Sequence, residues 1–174
     1  MPFRTILLLL VAPGAFSAPG ISAPEKLRCE YLDNPPVIDV VRPRFSWVPK
    51  HSGLNQIQSA YQLIVTYASG AIAWDSGKVS STMTSQIEYS GEPLKSNREY
   101  RWRVRYWDRD GIASPLSSPA TFATGLMDPA EWKAKWIESS NEMRRDFALS
   151  GTPRKARVFI SAVGLYELDR KSVV

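Results

Sequence analysis

The chain has 174 residues, of which 44% are hydrophobic, 22% charged and 11% aromatic. This is a globular composition with room for one ordinary domain, or a small one plus the start of another, and it excludes a disordered tail or a collagen-like segment. The net charge of +5 is mild, and its Lys and Arg residues are dispersed through the sequence, which argues against nucleic acid as a partner.

The first residues read as an address. Met1 to Arg4 give a short positive start, Ile6 to Val11 an unbroken apolar run, and Ala12 to Ala18 a Pro-Gly exit rich in small residues. That layout is a secretory signal peptide, 1–17, with cleavage after Ser17 and with Ser22 as the alternative. The apolar run is far short of the ~20 residues that span a bilayer, so no membrane span is expected. The mature chain is expected to be secreted or periplasmic. Cys29 follows Arg28 rather than a small residue, which speaks against a lipid anchor.

From Pro24 to Gly125 the pattern is short strands divided by turn chemistry. The expected strands are Leu27–Leu32, Arg44–Val48, Ala60–Tyr67, Ala71–Trp74, Ser85–Tyr89, Tyr100–Trp107 and Ala120–Thr124. Alternation places Leu27, Cys29 and Tyr31 on one face of the first, so Cys29 is expected to be a buried structural thiol. As the only cysteine it excludes an intramolecular disulfide. In the sixth strand Tyr100, Trp102, Val104 and Tyr106 alternate with Arg101, Arg103 and Arg105. One face is therefore apolar, and the other is a row of guanidinium groups expected to snorkel into solvent. Leu94 ahead of Tyr100 is the spacing of a tyrosine corner, in which the hydroxyl satisfies a backbone group where the chain changes sheet. The expected fold is all-β, a fibronectin type III or immunoglobulin-like sandwich. Asp108-Arg109-Asp110-Gly111 reads as a tight turn; the oxygen ligands of a calcium loop do not follow it, and Pro119 stands where that loop needs Glu.

Residues 126–142 read as a linker, with Asp128 capping a helical turn, Pro129 at its first position, and Trp132 and Trp136 anchoring it on the sandwich. Arg144–Leu149, Arg157–Ala162 and Gly164–Leu168 then read as strands. Three strands do not close a sandwich, so 143–168 is expected to be the incomplete start of a second β domain.

Several segments in register carry a family resemblance. They are Leu27-x-Cys29-Glu30-Tyr31-Leu32-x-Asn34-Pro35, Pro43-x-Phe45-Ser46-Trp47, Gln58-Ser59-Ala60-Tyr61-Gln62 and Trp74-Asp75-Ser76-Gly77-Lys78-Val79. Tyr100-x-Trp102-x-Val104, Trp132-x-Ala134-x-Trp136-Ile137 and Ala156-Arg157-x-x-Ile160-Ser161-Ala162-x-Gly164-Leu165-Tyr166-Glu167-Leu168 complete the set. Together they resemble the N-terminal region of bacterial α-L-rhamnosidases of glycoside hydrolase family 78. The resemblance implies a fibronectin-like domain leading into a further β-sandwich, then more β domains and an (α/α)6 barrel that carries the acidic catalytic residues. After Leu168 the chain departs from the family pattern. Residues 169–174, Asp169 to Val174, equal a translation of a common short-read sequencing adapter and are read as a non-native tail.

Glycoside hydrolysis needs two carboxyl groups about 5–9.5 Å apart, one of them kept protonated. Glu30 and Glu167 fall in expected strands, and nothing in the sequence pairs them. His51, the only histidine, lies in a Lys50-His51-Ser52-Gly53 loop expected to be solvated, so no Ser–His–Asp set is credible. No catalytic, cofactor-binding or metal-binding residue is assigned, and no cofactor is expected. The expected role is the non-catalytic N-terminal part of a secreted α-L-rhamnosidase. Its partners would be the downstream domains, with carbohydrate as a further candidate. The alternative is a stand-alone secreted binding module, because a fold does not by itself specify a function.

Overall fold

The computed structural model describes residues 20–138, 143, 148, 150–153 and 156–163. The expected signal peptide, most of the Arg144–Leu149 segment, Gly164–Leu168 with Glu167, and the tail 169–174 lie outside the described residues. The chain divides into two compact units, Met1–Glu131 and Trp132–Val174.

The described part of the first unit is all-β apart from one short 3₁₀ turn. Its strands are β1 (Ile21–Cys29), β2 (Arg44–His51), β3 (Ala60–Tyr67), β4 (Ile72–Asp75), β5 (Val79–Ser80), β6 (Ile87–Glu88), β7 (Glu99–Trp107) and β8 (Ala120–Ala123). One sheet has the order β1-β2-β6; the other runs β4-β3-β7-β8, with β5 pairing the start of β3. All these pairings are antiparallel.

Strand β1 begins six positions ahead of the expected Leu27, and the reason is positional. It is the edge of its sheet, so Pro24 can sit in it without breaking a ladder on a second side. The register shifts between Ser22 and Glu25, and that bulge absorbs both Pro24 and the facing Pro49. Strand β2 therefore continues through Pro49 to His51 instead of ending at Val48. At its other end β1 stops at Cys29, not Leu32. Cys29 and Leu32 exchange backbone hydrogen bonds of 3.0 Å in each direction. Between them Glu30 and Tyr31 adopt φ of 49° and 65°. Two left-handed residues in a row make the tight reversal that matches strand twist. Tyr31 is consequently exposed rather than on the face of Leu27 and Cys29.

Strands β3 and β7 form the centre of the larger sheet, in register from Ala60↔Trp107 to Tyr67↔Tyr100. Tyr100, Trp102, Val104 and Tyr106 are buried while Arg101 and Arg103 are exposed, as period-2 alternation dictates. The core joins both sheets: Phe45 and Trp47 from β2 meet Leu63, Val65, Trp102 and Phe122. Phe45 lies 4.7 Å from the Trp102 ring and 5.8 Å from Phe122, while Tyr100 stacks on Phe122 at 5.0 Å. Such pairs add to the area each aromatic ring buries.

The tyrosine corner is present. The Lys95 amide donates to the Tyr100 hydroxyl at 2.9 Å, and Leu94 is buried beside it. The buried Thr124 secures the same corner. Its hydroxyl accepts from the Arg98 amide at 3.0 Å and donates to the Lys95 carbonyl at 2.6 Å. Between the Asp108–Gly111 turn and β8 the chain, interrupted by Pro115 and Pro119, forms no regular strand along β7. The Ser114 and Ser117 hydroxyls take the Tyr106 and Val104 amides instead, each at 3.1 Å. Buried amides are satisfied by whichever acceptor the backbone can bring.

Asp128 caps a 3₁₀ turn at Pro129–Glu131, its carboxylate accepting from the Ala130 amide at 2.9 Å. The turn is only three residues long, as is usual for 3₁₀ helices, whose hydrogen-bond geometry is poor and whose side chains eclipse. Trp132 and Trp136 therefore do not share a helical turn, and they are 40% and 73% exposed. In the second unit Arg157–Ala162 forms no strand. Val158 and Ile160 are exposed there, so the segment buries no apolar face of the kind that fixes a strand.

Candidate functional site

Among the described residues of the first unit, four places bring charged side chains together with polar partners. At the β1–β2 end, Glu30 receives Arg44 in a fork: Nε to Oε1 at 3.1 Å and Nη2 to Oε2 at 2.7 Å. The Arg44 amide adds a third bond to Oε1 at 2.6 Å. The side-chain bonds from Arg44 are the main reason the Glu30 carboxyl is held below the ordinary carboxylate range, against the opposing effect of its burial. Glu30 thus leaves the strand assigned to it and becomes a turn residue locked in an ion pair. It is the reverse of a protonated general acid. The Arg44 guanidinium also lies 5.1 Å from the centre of the Tyr31 ring, whose hydroxyl takes a short hydrogen bond from Gln86.

At the opposite end of β2, His51 is not solvated. Its side chain is largely buried, Nδ1 accepts from the Gly53 amide at 2.8 Å, and Nε2 faces Asp108 Oδ2 at 3.5 Å. Asp108 is buried, and its other oxygen accepts the Asp110 and Ile112 amides at 2.9 and 2.8 Å. The Asp108 carboxylate is therefore committed to closing its own turn and to His51. Among the described residues no group of three His, Cys, Asp or Glu side chains is placed to hold a metal ion. Cys29 is buried at 1% exposure, and that burial pushes its thiol up to about 12. It is inert as a nucleophile.

The third place is the outer face of the larger sheet. Arg105 reaches across to β3, where Nε and Nη2 donate to Gln62 Oε1 at 2.8 and 2.6 Å. Gln62 Nε2 in turn contacts both Asp75 oxygens at 2.8 and 3.0 Å. Lys78 and Arg105 stand over the Trp107 ring at 4.6 and 5.3 Å. The arginine row was legible in the sequence. Its partners Gln62, Asp75 and Lys78 were not, because only strand register brings them beside it.

The fourth place is a groove of about 500 Å³ beside the tyrosine corner, lined by Val41, Leu94, Lys95, Arg98, Met127 and Glu131 among others. It opens where the chain leaves the sandwich, and charges of both signs line it beside Val41, Leu94 and Met127. Two carboxylates, Asp128 and Glu131, are part of its lining.

Residues 24–128 match the family described as Rha78A-like, N-terminal immunoglobulin domain. An α-L-rhamnosidase of Streptomyces avermitilis is 39% identical over 127 residues, which cover 71% of this chain and 12% of that protein. One from Formosa agariphila is 33% identical over 162 residues, covering 80% of this chain and 17% of its own length. Among solved structures, the α-L-rhamnosidase from Dictyoglumus thermophilum superposes with a TM-score of 0.63 at 41% identity, over 68% of this chain and 14% of that one. The Streptomyces avermitilis enzyme, solved in complex with L-rhamnose, gives 0.63 at 40% identity over 67% and 12%. The chain thus spans less than a fifth of the relatives it matches. With the tyrosine corner, the two sheets and this match in agreement, the chain belongs to the Rha78A-like N-terminal immunoglobulin domain family, the N-terminal region of α-L-rhamnosidases.

Proposed function

We propose that this chain is the non-catalytic N-terminal part of a secreted α-L-rhamnosidase, whose whole removes terminal α-L-rhamnose from glycans or glycosides. The observation that carries the reading is the match of residues 24–128 to an N-terminal immunoglobulin domain, at identities near 40%, within a small fraction of each relative's length. In this reading residues 1–17 are a signal peptide, 24–125 the fibronectin-like sandwich, 126–142 a linker, 143–168 the start of a second sandwich, and 169–174 a non-native tail. The catalytic acids then lie downstream. No helix among the described residues is long and apolar enough to cross a membrane.

The geometry of the sandwich supports the absence of catalysis from this part. An inverting glycosidase holds its acid and base about 6.5–9.5 Å apart with a water between them. Here Glu30 is ion-paired with Arg44, Asp108 accepts hydrogen bonds from its own turn, and Asp75 accepts from Gln62. The test is p-nitrophenol release from the aryl α-L-rhamnoside by the purified chain between acidic and neutral pH. No turnover above a buffer blank is expected. Turnover abolished by changing a single carboxylate of this chain overturns the reading.

A further inference from the structure

The outer face of the larger sheet carries a row of three arginines, Arg101, Arg103 and Arg105. Positions 101, 103 and 105 project on one side of β7, about 6.8 Å apart at the rise of an extended strand. Their cross-strand neighbours are Thr66 and Thr121 beside Arg101, Ile64 beside Arg103 and Gln62 beside Arg105. None is acidic, although an opposing carboxylate is the ordinary way a sheet neutralises such a row. The ion pairs found among the described residues involve none of the three arginines. The acids on this face stand at its margins: Asp75 on β4, bonded to Gln62 and the Gly77 amide, and Glu99 at the start of β7.

One end of the row is built rather than loose. Gln62 is held by Asp75 and itself holds Arg105, which in turn lies against Trp107. The guanidinium at that end is fixed in position before any ligand arrives, so little side-chain freedom is lost on binding. Arg101 and Arg103 extend the line as exposed forks. A guanidinium fork matches a planar carboxylate with two parallel hydrogen bonds. A single-stranded nucleic acid would in addition need open aromatic faces on which to stack bases. Trp107, the aromatic ring of this strip, has Lys78 and Arg105 over it instead.

We propose that the outer face of the β4-β3-β7-β8 sheet binds a carboxylated polysaccharide, with Arg101 and Arg103 engaging its carboxylates and the Arg105–Gln62–Trp107 assembly flooring one end. This rests on the reading of the chain as a non-catalytic part of a glycosidase. Its role is to hold an acidic glycan near the enzyme.

The experiment titrates the full chain with polygalacturonate, with neutral amylose and with an oligodeoxythymidylate, by calorimetry at low salt. Polygalacturonate is expected to bind, amylose to give no heat, and the oligonucleotide to bind more weakly than polygalacturonate. R101A/R103A should weaken polygalacturonate binding by about tenfold or more, because two charge-assisted contacts are lost. Both arginines are exposed, so circular dichroism and the melting midpoint should match the parent chain. If the double variant fails to fold, R103A alone gives the same readout. Absence of polygalacturonate binding at low salt, equal binding by a folded variant, or tighter binding of the oligonucleotide each overturns the proposal. The rhamnoside assay is independent of this titration, so either reading can fail alone.

Discussion

The backbone amide of Lys95 donates to the hydroxyl of Tyr100 at 2.9 Å, across the corner where the chain passes from one sheet to the other. Tyr100 is buried at 1% exposure, and burial is the chief reason its phenol is pushed above its ordinary range. Tyr100→Phe keeps the ring, its stacking on Phe122 and the packing of Leu94, and removes only the acceptor. The Lys95 amide is then left without its partner at a crowded corner, at a cost of about 1–2 kcal/mol. The urea midpoint should fall while the slope of the transition stays constant. An unchanged midpoint would remove the corner as a stabilising element.

Acid should destabilise the sandwich through Glu30. The Arg44 side-chain bonds hold this carboxyl below its ordinary range in the folded chain, whereas the unfolded chain titrates near the usual value of about 4.3. The stabilisation is therefore complete above that value and is lost as pH falls through the lower, folded value. Glu30→Gln should lower stability at neutral pH and flatten the decline as pH falls from about 5 through and below the ordinary value of about 4.3. Melting midpoints across that range for both chains decide it. Parallel profiles would show that the ion pair contributes nothing to acid sensitivity.

Cys29 should resist modification in the native state. Its thiol is buried and pushed up to about 12, so the thiolate fraction at neutral pH is minute. Reaction with a disulfide reagent should be slow in buffer and rapid in denaturant, with a native rate that follows unfolding. Equal rates in the two conditions would show that the β1 end opens freely.

Export of the chain should leave Ala18 at the new N-terminus. Cleavage after Ser22 would remove Ile21, which is buried, together with the Ile21↔His51 and Ser22↔Lys50 pairs that start β1. Cleavage after Ser17 keeps them, and N-terminal sequencing of the exported protein distinguishes the two. An N-terminus at Ala23, or an intact Met1, would contradict this expectation.

Strand β3 was legible in the sequence, with both ends where alternation puts them, and so was the buried face of β7. Both are long, strictly alternating runs in which every second side chain must leave water, so burial alone dictates the assignment. The tyrosine corner was equally readable, because the Leu94–Tyr100 spacing is a local constraint on one turn. Strand β1 was not, because Pro24 reads as a breaker unless it is known that β1 is an edge and that a bulge opposes Pro49. The same limit holds for the polar clusters. Glu30 with Arg44, His51 with Asp108 and Arg105 with Gln62 are separated by 14, 57 and 43 positions, and only sheet register brings them into contact. Alternation says which face a side chain takes. What stands beside it is decided by the pairing of strands distant in the chain, which depends on the whole core closing at once.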